Sequence, residues 1–523
     1  MSSREQREQR EQRDPGKARD QRGQRDPMTT RAHDGRQELW ALAALSASLL
    51  AIRLYAATRV GFGDSEALYA AYAVHPQPAY LDHPPLIGLV ARALGGGTAP
   101  SPERAHLMTA VLASLVPWAM ALACRGAGAS WRRAFAAALV FAVVPEIAIG
   151  LFAMTPDLLL ATFWTGAIGL AALALEATPG SPRATLAFAG AGLLAGAAAA
   201  SKVSGALLLA SLAVTYASRS ARAHARTLPP WAGLVAGVVV VAPIAVFEAR
   251  SGWPLFVHRL GDTQQAAGLS LRNAAALAGG QLAYLSPLVA VLAALAACAA
   301  WRGRHDAVGT LLLAGSALPA GVLVPLALWS RVAEPHWVAP ALLSLVPALA
   351  RSTDAPSRKL VGASAALAAA FVAAVYTWVL VPQTLRLAPA SYDARYDLAN
   401  ELYGWPEVLG AVRDEVAAQA SPGLEGVSVV GPHWVICAQL DADLRGDVRV
   451  GCDTPIPDDF DRWWPRAQWR RSDSIVWVTD DRFGPPPELP LHALFSIRRV
   501  RIKRADRVVR NFTISVFVRR AEG

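Results

Sequence analysis

The chain has 523 residues, of which 54% are hydrophobic and only 17% are charged. This composition excludes a typical soluble protein, and the length exceeds that of one domain. The formal net charge of +10 does not indicate a nucleic-acid partner, because the arginines flank apolar runs and form no basic groove interleaved with aromatic residues. We therefore expect a multi-pass membrane protein that binds no nucleic acid.

The N-terminal segment, residues 1–38, repeats an REQ unit and has almost no apolar side chains. Such a segment cannot bury enough surface to fold, so we expect a disordered tail. The run from Leu39 to Thr58 is the first that is long enough to cross a bilayer, for which about 20 residues are needed. Its arginine-rich flank places the tail in the cytoplasm and residues 59–104 on the outer face.

This first outer loop, 59–104, contains an acidic stretch between two apolar runs. Three carboxylates, Asp64, Glu66 and Asp82, lie there with two histidines and a Pro-Pro pair. Carboxylates beside a membrane are costly unless they are paired or used, although an ordinary solvated loop is the alternative. The apolar segments 66–73 and 86–94 are too short to span, and we expect them to lie as helices along the interface.

Further apolar runs predict ten more spans, which makes eleven in a membrane domain over residues 39–381. These runs lie at 105–124, 133–153, 158–176, 185–200, 203–218, 231–248, 275–300, 307–329, 337–350 and 360–381. Alternation from a cytoplasmic start makes every inner connection basic, as the positive-inside rule requires. The same alternation brings four other connections to the outer face with the first loop: Met154 to Asp157, Ser201 with Lys202, Glu248 to Gln265, and Trp329 to Trp337.

Lys202 interrupts an Ala-rich apolar stretch, where an unpaired ammonium would cost a few kcal/mol. Either it pairs with an acidic group on the outer face, or its amine reaches the interface as a snorkelling lysine does.

After Val381 the sequence has no spanning run and instead shows short β-branched stretches such as VSVVGPHWV, SIVWVTD and FTISVFVRR. Residues 382–523 therefore predict an α/β domain, which the odd number of preceding spans places outside the cytoplasm. In that oxidising compartment Cys437 and Cys452 could form a disulfide, and two reduced buried cysteines are the alternative.

Carboxylates, cations and histidines on the outer face of a membrane bundle suit a reaction between a lipid-borne substrate and an external acceptor. In glycosyl transfer from a polyprenyl phosphate, a carboxylate would take the proton of an acceptor hydroxyl. Cations would stabilise the charge that develops on the leaving phosphate. The sequence contains no Walker loop and no dinucleotide-binding fingerprint, so a soluble nucleotide donor is not indicated.

Six motifs in the same order also resemble a known family. The stretch DSEALY…YLDHPPL is similar to the first outer loop of the bacterial glycosyltransferase family 39 and aminoarabinose transferases, within the dolichyl-phosphate-mannose-protein mannosyltransferase superfamily. The resemblance continues through TPDLLLATFW, ASKVSG, SGWPLFVHRLG, AGGQLAYLSPL and EPHWVAPA, and more weakly through YGWPEV and DDFDRWW. It implies the GT-C fold: an α-helical polytopic membrane protein of about eleven transmembrane helices with a C-terminal extracytoplasmic α/β domain.

The resemblance also implies roles for individual residues. The base would come from the first acidic pair, and we expect Asp64, although Glu66 occupies the position of the family's Glu and is the alternative. Asp157 would be a second acid near the reacting centre. The expected donor-phosphate contacts are Asp82, His83, Lys202, Arg259 and Arg331. A divalent metal ion is the one cofactor suggested, with His83, Asp82 and His258 as its candidate ligands and His336 as a further polar residue.

The sequence thus predicts an inverting glycosyltransferase of the bacterial inner membrane that uses a polyprenyl-phosphate-linked sugar and an extracytoplasmic acceptor, either lipid, glycan or protein. A transporter is the rival, but the polar residues lie in loops rather than at mid-membrane in broken helices, and no inverted repeat is evident. An inactive relative with a binding or assembly role is the third hypothesis, because the first acidic pair is displaced by one residue from the family pattern.

Overall fold

The computed structural model of the chain describes residues 35–98, 100–419 and 426–520. The predicted disordered tail lies outside these residues except at its end, where the first helix begins at Arg36 rather than at Leu39.

Helices make up the first three quarters of the molecule. The first nine are α1 Arg36–Ala57, α2 Asp64–Val74, α3 Leu86–Leu94, α4 Pro102–Gly126, α5 Trp131–Ala142, α6 Pro145–Ala148, α7 Pro156–Glu176, α8 Pro182–Ser201 and α9 Ala206–Ala217. The next nine are α10 Arg222–Ala225, α11 Pro229–Arg250, α12 Pro254–Leu260, α13 Leu271–Leu285, α14 Pro287–Arg302, α15 Ala307–Trp329, α16 Ala339–Leu343, α17 Leu345–Arg351 and α18 Arg358–Leu380.

Among the described residues, seven helices are long and apolar enough to cross a membrane: α1, α4, α7, α8, α11, α15 and α18. Two further predicted spans are pairs of helices bent by 76° at α5–α6 and by 100° at α13–α14, so the number rises to nine if each pair is one span. Pro145 and Pro287 begin the second helix of each pair, where a residue without an N–H cannot continue the preceding helix. The remaining two of the eleven predicted runs, 203–218 and 337–350, form shorter helices, α9 and α16–α17. The chain is therefore a multi-pass membrane protein.

The C-terminal part is a five-stranded sheet with helices. Its helices are α19 Trp405–Gln419, α20 Trp434–Leu444, α21 Asp459–Trp463 and α22 Arg466–Trp469, and its strands are β1 Val427–Gly431, β2 Arg449–Cys452, β3 Ser474–Asp480, β4 His492–Arg504 and β5 Arg507–Arg519. The strand order is β2-β1-β3-β5-β4, with β2, β1 and β3 parallel and β5 antiparallel to both β3 and β4. The β-branched stretches of the sequence supply β1, β3 and β5, and this small sheet domain agrees with the predicted fold class.

Helix α2, which the sequence predicts to lie along the membrane interface, is covered by other parts of the chain. It packs against α20 of the C-terminal part, and Ala67, Ala70 and Ala73 have no exposed surface. On another side α3 approaches so closely that a Cβ added to Gly88 would lie 2.7 Å from the Cβ of Tyr72. Small side chains allow α2 to be covered by other helices, so its apolar residues serve protein packing rather than lipid contact.

One apolar core joins the first outer loop to the C-terminal sheet. It contains Ala70 and Ile87 of the loop together with Val412, Ile436 and Val476. Cys437 of α20 and Cys452 of β2 are joined by a disulfide inside this core, with their Cα atoms 5.9 Å apart. The loop and the sheet therefore behave as one packed unit on one end of the helical bundle.

Candidate active site

The centre of the site is an ion pair between two neighbouring helices. Asp157 lies in the first turn of α7, and Lys202 follows the last residue of α8. Helix dipoles favour a carboxylate at a helix N-terminus and a cation at a C-terminus, so both positions suit their charges. The Nζ atom of Lys202 donates to both carboxylate oxygens of Asp157, at 2.7 and 2.9 Å. The side chains are only 12% and 24% exposed, so Lys202 is paired rather than snorkelling.

A second ion pair joins the first outer loop to α12. The Nη1 atom of Arg259 donates to Oδ1 of Asp82 at 3.0 Å, and the guanidinium lies 5.5 Å from the ring centroid of Trp337. The Nε2 atom of His258 is 3.8 Å from the same oxygen of Asp82. Asp82 thus meets both basic residues of α12.

Two histidines connect these pairs and carry no charge at neutral pH. The Nε2 atom of His336 lies 3.8 Å from Oδ2 of Asp157, and burial, reinforced by Lys202, lowers the pKa of His336 to about 4. His83 is buried, and burial together with Arg259 and Lys202 holds its pKa well below the ordinary value. His83 is therefore a neutral imidazole in this site rather than a cation.

Two residues that sequence reasoning missed border the same site. The ring centroid of Tyr69 on α2 lies 5.5 Å from that of His83. Glu146 of α6 is close enough to Asp157 and Lys202 for their charges to interact. In the sequence Tyr69 resembles an ordinary core aromatic residue, and Glu146 lies within an apolar run. Only their positions in the folded structure show that they border the site.

Glu146 also lines the larger cavity, which has a volume of about 860 Å³ and runs between helices of the bundle. Its walls are mostly apolar and include Leu285, Val289, Leu343 and Val346. Its lining extends from Gln37 and Glu38 near the start of α1 to Glu146.

Asp64 does not join this cluster of charges. One of its oxygens accepts from Nη1 of Arg482 in the C-terminal part at 2.8 Å, and the other lies 3.5 Å from Nε2 of Gln439. Arg482 also pairs with Asp480, and the Asp64 N–H donates to Glu401 at 3.3 Å. Burial and the nearby charge of Asp64 raise the pKa of Glu401 to about 7. The carboxylate of Asp64 is thus occupied by contacts with the C-terminal part of the chain.

Glu66 is enclosed even more completely. It accepts hydrogen bonds from His106 Nε2 at 2.9 Å, from the N–H of Met154 at 2.7 Å and from the N–H of Gly63 at 2.9 Å. Burial alone would raise its pKa, but His106 and the two backbone amides outweigh burial and lower it. These contacts tie α2 to α4 and to the segment before α7.

Arg331 lies apart from the ion pairs. Its N–H donates to Oε1 of Gln264 at 3.1 Å, and its Nη1 donates to the carbonyl of Gln265 at 3.4 Å. It joins the segment after α15 to the segment after α12. Among the described residues it forms no ion pair.

The predicted metal ligands do not form a complete set. Within residues 35–98, 100–419 and 426–520, no three His, Cys, Asp or Glu side chains are grouped to hold a metal ion. Asp82 and His258 are adjacent, but Arg259 already pairs with Asp82. Asp82 and His258 alone fall short of the three or four protein ligands of a zinc site.

The C-terminal part also reaches the first loop through Asp459 of α21. Its Oδ2 accepts the N–H of Leu81 at 3.0 Å, and burial together with the charge of Asp82 raises its pKa to about 7. The weak similarity of DDFDRWW to the family pattern was the available signal for this residue.

Comparison with known proteins gives the fold. Residues 82–247, about a third of the chain, match the family model described as dolichyl-phosphate-mannose-protein mannosyltransferase. The structure is similar to ArnT from Cupriavidus metallidurans bound to undecaprenyl phosphate, with a TM-score of 0.61 and 15% identity over 90% of this chain and 97% of that one. It is also similar to the Archaeoglobus fulgidus oligosaccharyltransferase tethered with an acceptor peptide, with a TM-score of 0.51 and 14% identity over 85% and 69% of the two chains. No curated protein sequence matches significantly.

These similarities confirm the resemblance that the motifs predict. The chain has the GT-C fold, with a helical membrane bundle and a small C-terminal sheet.

Proposed function

We propose that the protein is an inner-membrane glycosyltransferase that moves a sugar from a polyprenyl phosphate to an extracytoplasmic acceptor, with inversion at the anomeric carbon. The observation that carries the proposal is the clustering of Lys202 and Arg259, each bound to a carboxylate, together with an apolar cavity whose lining residue Glu146 is close enough to Asp157 and Lys202 for their charges to interact. A lipid phosphate needs both features, since cations bind its head and an apolar surface takes its chain.

In the proposed step the acceptor hydroxyl oxygen bonds to the anomeric carbon while the bond from that carbon to the phosphate oxygen breaks. The bonding electrons leave with the phosphate, where Lys202 and Arg259 stabilise the developing charge. Asp82 holds Arg259 in place, and Asp157 holds Lys202.

A carboxylate takes the proton of the acceptor hydroxyl, and we assign this role to Asp157 rather than to Asp64. Asp157 lies within the charged cluster, whereas Asp64 is bound to Arg482 and Gln439. When the donor phosphate binds Lys202, one oxygen of Asp157 becomes free to accept the proton. In this assignment Asp64 and Glu66 have a structural role. They hold helix α2, which carries Tyr69, against the neighbouring parts of the chain.

We further propose that residues 39–381 are the membrane domain and residues 382–523 the extracytoplasmic domain, with a cytoplasmic N-terminus. The basic inner connections support this orientation. Reporter fusions after Val381 should be active only when the reporter works outside the cytoplasm, and activity of a cytoplasmic reporter there would reverse the topology.

The test of function uses the purified chain, undecaprenyl phosphate, a panel of undecaprenyl-phosphate-linked radiolabelled sugars, and bacterial envelope lipids and glycans as acceptors. Undecaprenyl phosphate should stabilise the protein against heat, and undecaprenol, which lacks the phosphate, should do so far less. A transporter or an inactive relative would release no undecaprenyl phosphate from any donor.

The base is tested by Asp157→Asn and Asp64→Asn, with Asp354→Asn as control because Asp354 is an exposed carboxylate paired with Arg302. Asp157→Asn should lower turnover by about 10²-fold or more while the fold is kept. Asp64→Asn should mainly lower thermal stability. Normal turnover in Asp157→Asn with a loss in a stable Asp64→Asn would return the base to Asp64.

A further inference from the structure

A smaller cavity of about 210 Å³ lies outside the charged cluster, where the C-terminal domain meets the end of α2. The residues that matter in its wall are His75, Asp441, Arg449, Trp463 and Trp464. Pockets for drug-sized ligands measure roughly 300–1,000 Å³, so this one suits a ligand of about one ring.

One wall is a pair formed by the buried Asp441 and the half-buried His75. The Nε2 atom of His75 lies 3.0 and 3.1 Å from the two oxygens of Asp441. The imidazole also stacks on the indole of Trp463, with ring centroids 4.3 Å apart. Because Nε2 is bound to Asp441, only Nδ1 remains for a ligand, and no hydrogen bond from the described residues reaches it.

The wall also contains an exposed cation, Arg449. The guanidinium of Arg449 lies 4.3 Å from the ring centroid of Trp464, whose Nε1 donates to Ser428. Among the described residues the side chain of Arg449 makes no ion pair and no hydrogen bond, whereas Arg466 and Arg470 both pair with Asp453.

We propose that this cavity binds one acidic sugar ring, and, resting on the proposed function, that the ring belongs to the acceptor. The guanidinium would bind the carboxylate, because a planar fork of N–H donors matches it. The electron-rich indole faces attract the positively polarised C–H groups of a sugar. His75 Nδ1 remains for one of its hydroxyl groups.

The position of the cavity supports an acceptor. Helix α21 begins at Asp459, which binds the loop beside Asp82, and ends at Trp463 in the cavity wall. Five residues at 1.5 Å rise span roughly 6 Å along the helix. A ring held in the cavity would therefore lie within a few sugar units of the reacting centre.

The experiment measures binding of methyl glucuronide and methyl glucoside to the full-length protein in detergent, without donor, by saturation-transfer NMR. The glucuronide should bind at least about 10-fold more tightly, because a charge-assisted hydrogen bond adds to the ring contacts. Arg449→Ala should remove this preference and leave weak binding of both sugars. The matched control is Arg501→Ala, which changes an exposed arginine of β4 at the other edge of the sheet.

Equal binding of the two sugars, or equal loss in both variants, would overturn the proposal. Competition by inorganic phosphate as strong as that by the glucuronide would also overturn it, by showing an anion site without sugar recognition. The binding experiment contains no donor, so it is independent of the transfer assay. Transfer activity without binding of either sugar would refute only the proposed sugar site, and sugar binding without transfer activity would refute only the proposed function.

Discussion

The ion pair between Lys202 and Asp157 gives the sharpest prediction. The closest nitrogen–oxygen distance is 2.7 Å, and the two side chains are 12% and 24% exposed. At an effective dielectric constant of about 20 the attraction is about 6 kcal/mol, and desolvation offsets most of it. Lys202→Met leaves the carboxylate buried without its cation, which should lower the free energy of unfolding by about 3–5 kcal/mol.

The double variant Lys202→Met with Asp157→Asn removes both charges. Its thermal midpoint in detergent should therefore return close to that of the wild type, since replacing both partners of a buried pair is often neutral. Its turnover should stay about 10²-fold or more below wild type, because the phosphate has lost a cation and the hydroxyl its base.

The control is Arg302→Met, which breaks an ion pair with Asp354 whose side chains are 68% and 66% exposed. A surface ion pair contributes about 0–1 kcal/mol to stability, so the thermal midpoint and the turnover of this variant should equal those of the wild type. Wild-type stability in Lys202→Met would contradict the buried pair. Recovery of turnover in the double variant would refute both the phosphate contact and the base.

Three further results are expected. Glu66→Gln should lower the free energy of unfolding by about 1–3 kcal/mol. This loss should vanish at acid pH, because the lowered pKa of Glu66 contributes stability above its unfolded pKa, and that contribution disappears as the pH falls through its folded pKa. A difference in thermal midpoint that does not change with pH would disprove the link. His83→Gln should leave the shape of the pH–rate profile between about pH 6 and 8 unchanged, since burial keeps His83 neutral there. Replacing Cys437 and Cys452 by Ser should lower the unfolding free energy by about 3 kcal/mol, and thiol labelling of the unfolded, unreduced wild type should leave both unreacted.

Local patterns in the sequence were enough to predict the helical membrane bundle and the small sheet. Apolar runs and basic connections are properties of neighbouring residues, and β-branched stretches mark β1, β3 and β5 for the same reason. The alternation also grouped Asp157, Lys202, Arg259 and His336 on one face, and the structure brings them into a single cluster.

The choice between the acidic residues of α2 could not be made in this way. Because α2 is covered on several sides, its sequence has no polar face to show which side meets the active site. Asp64 pairs with Arg482, and Glu66 with His106, through contacts made only when the chain folds. The state of His83 was equally hidden, since it depends on burial and on two cations from distant helices.

The contact of Asp64 with Arg482 has a consequence for the timing of biosynthesis. The two residues are 418 positions apart. At about 5–20 residues per second the ribosome needs roughly 20–80 s to make the intervening chain. During that interval the membrane helices emerge while the first loop lacks the arginine that binds Asp64 and the sheet that covers α2. The first loop of a newly inserted chain is thus incompletely packed until the C-terminal strands that cover it have been made.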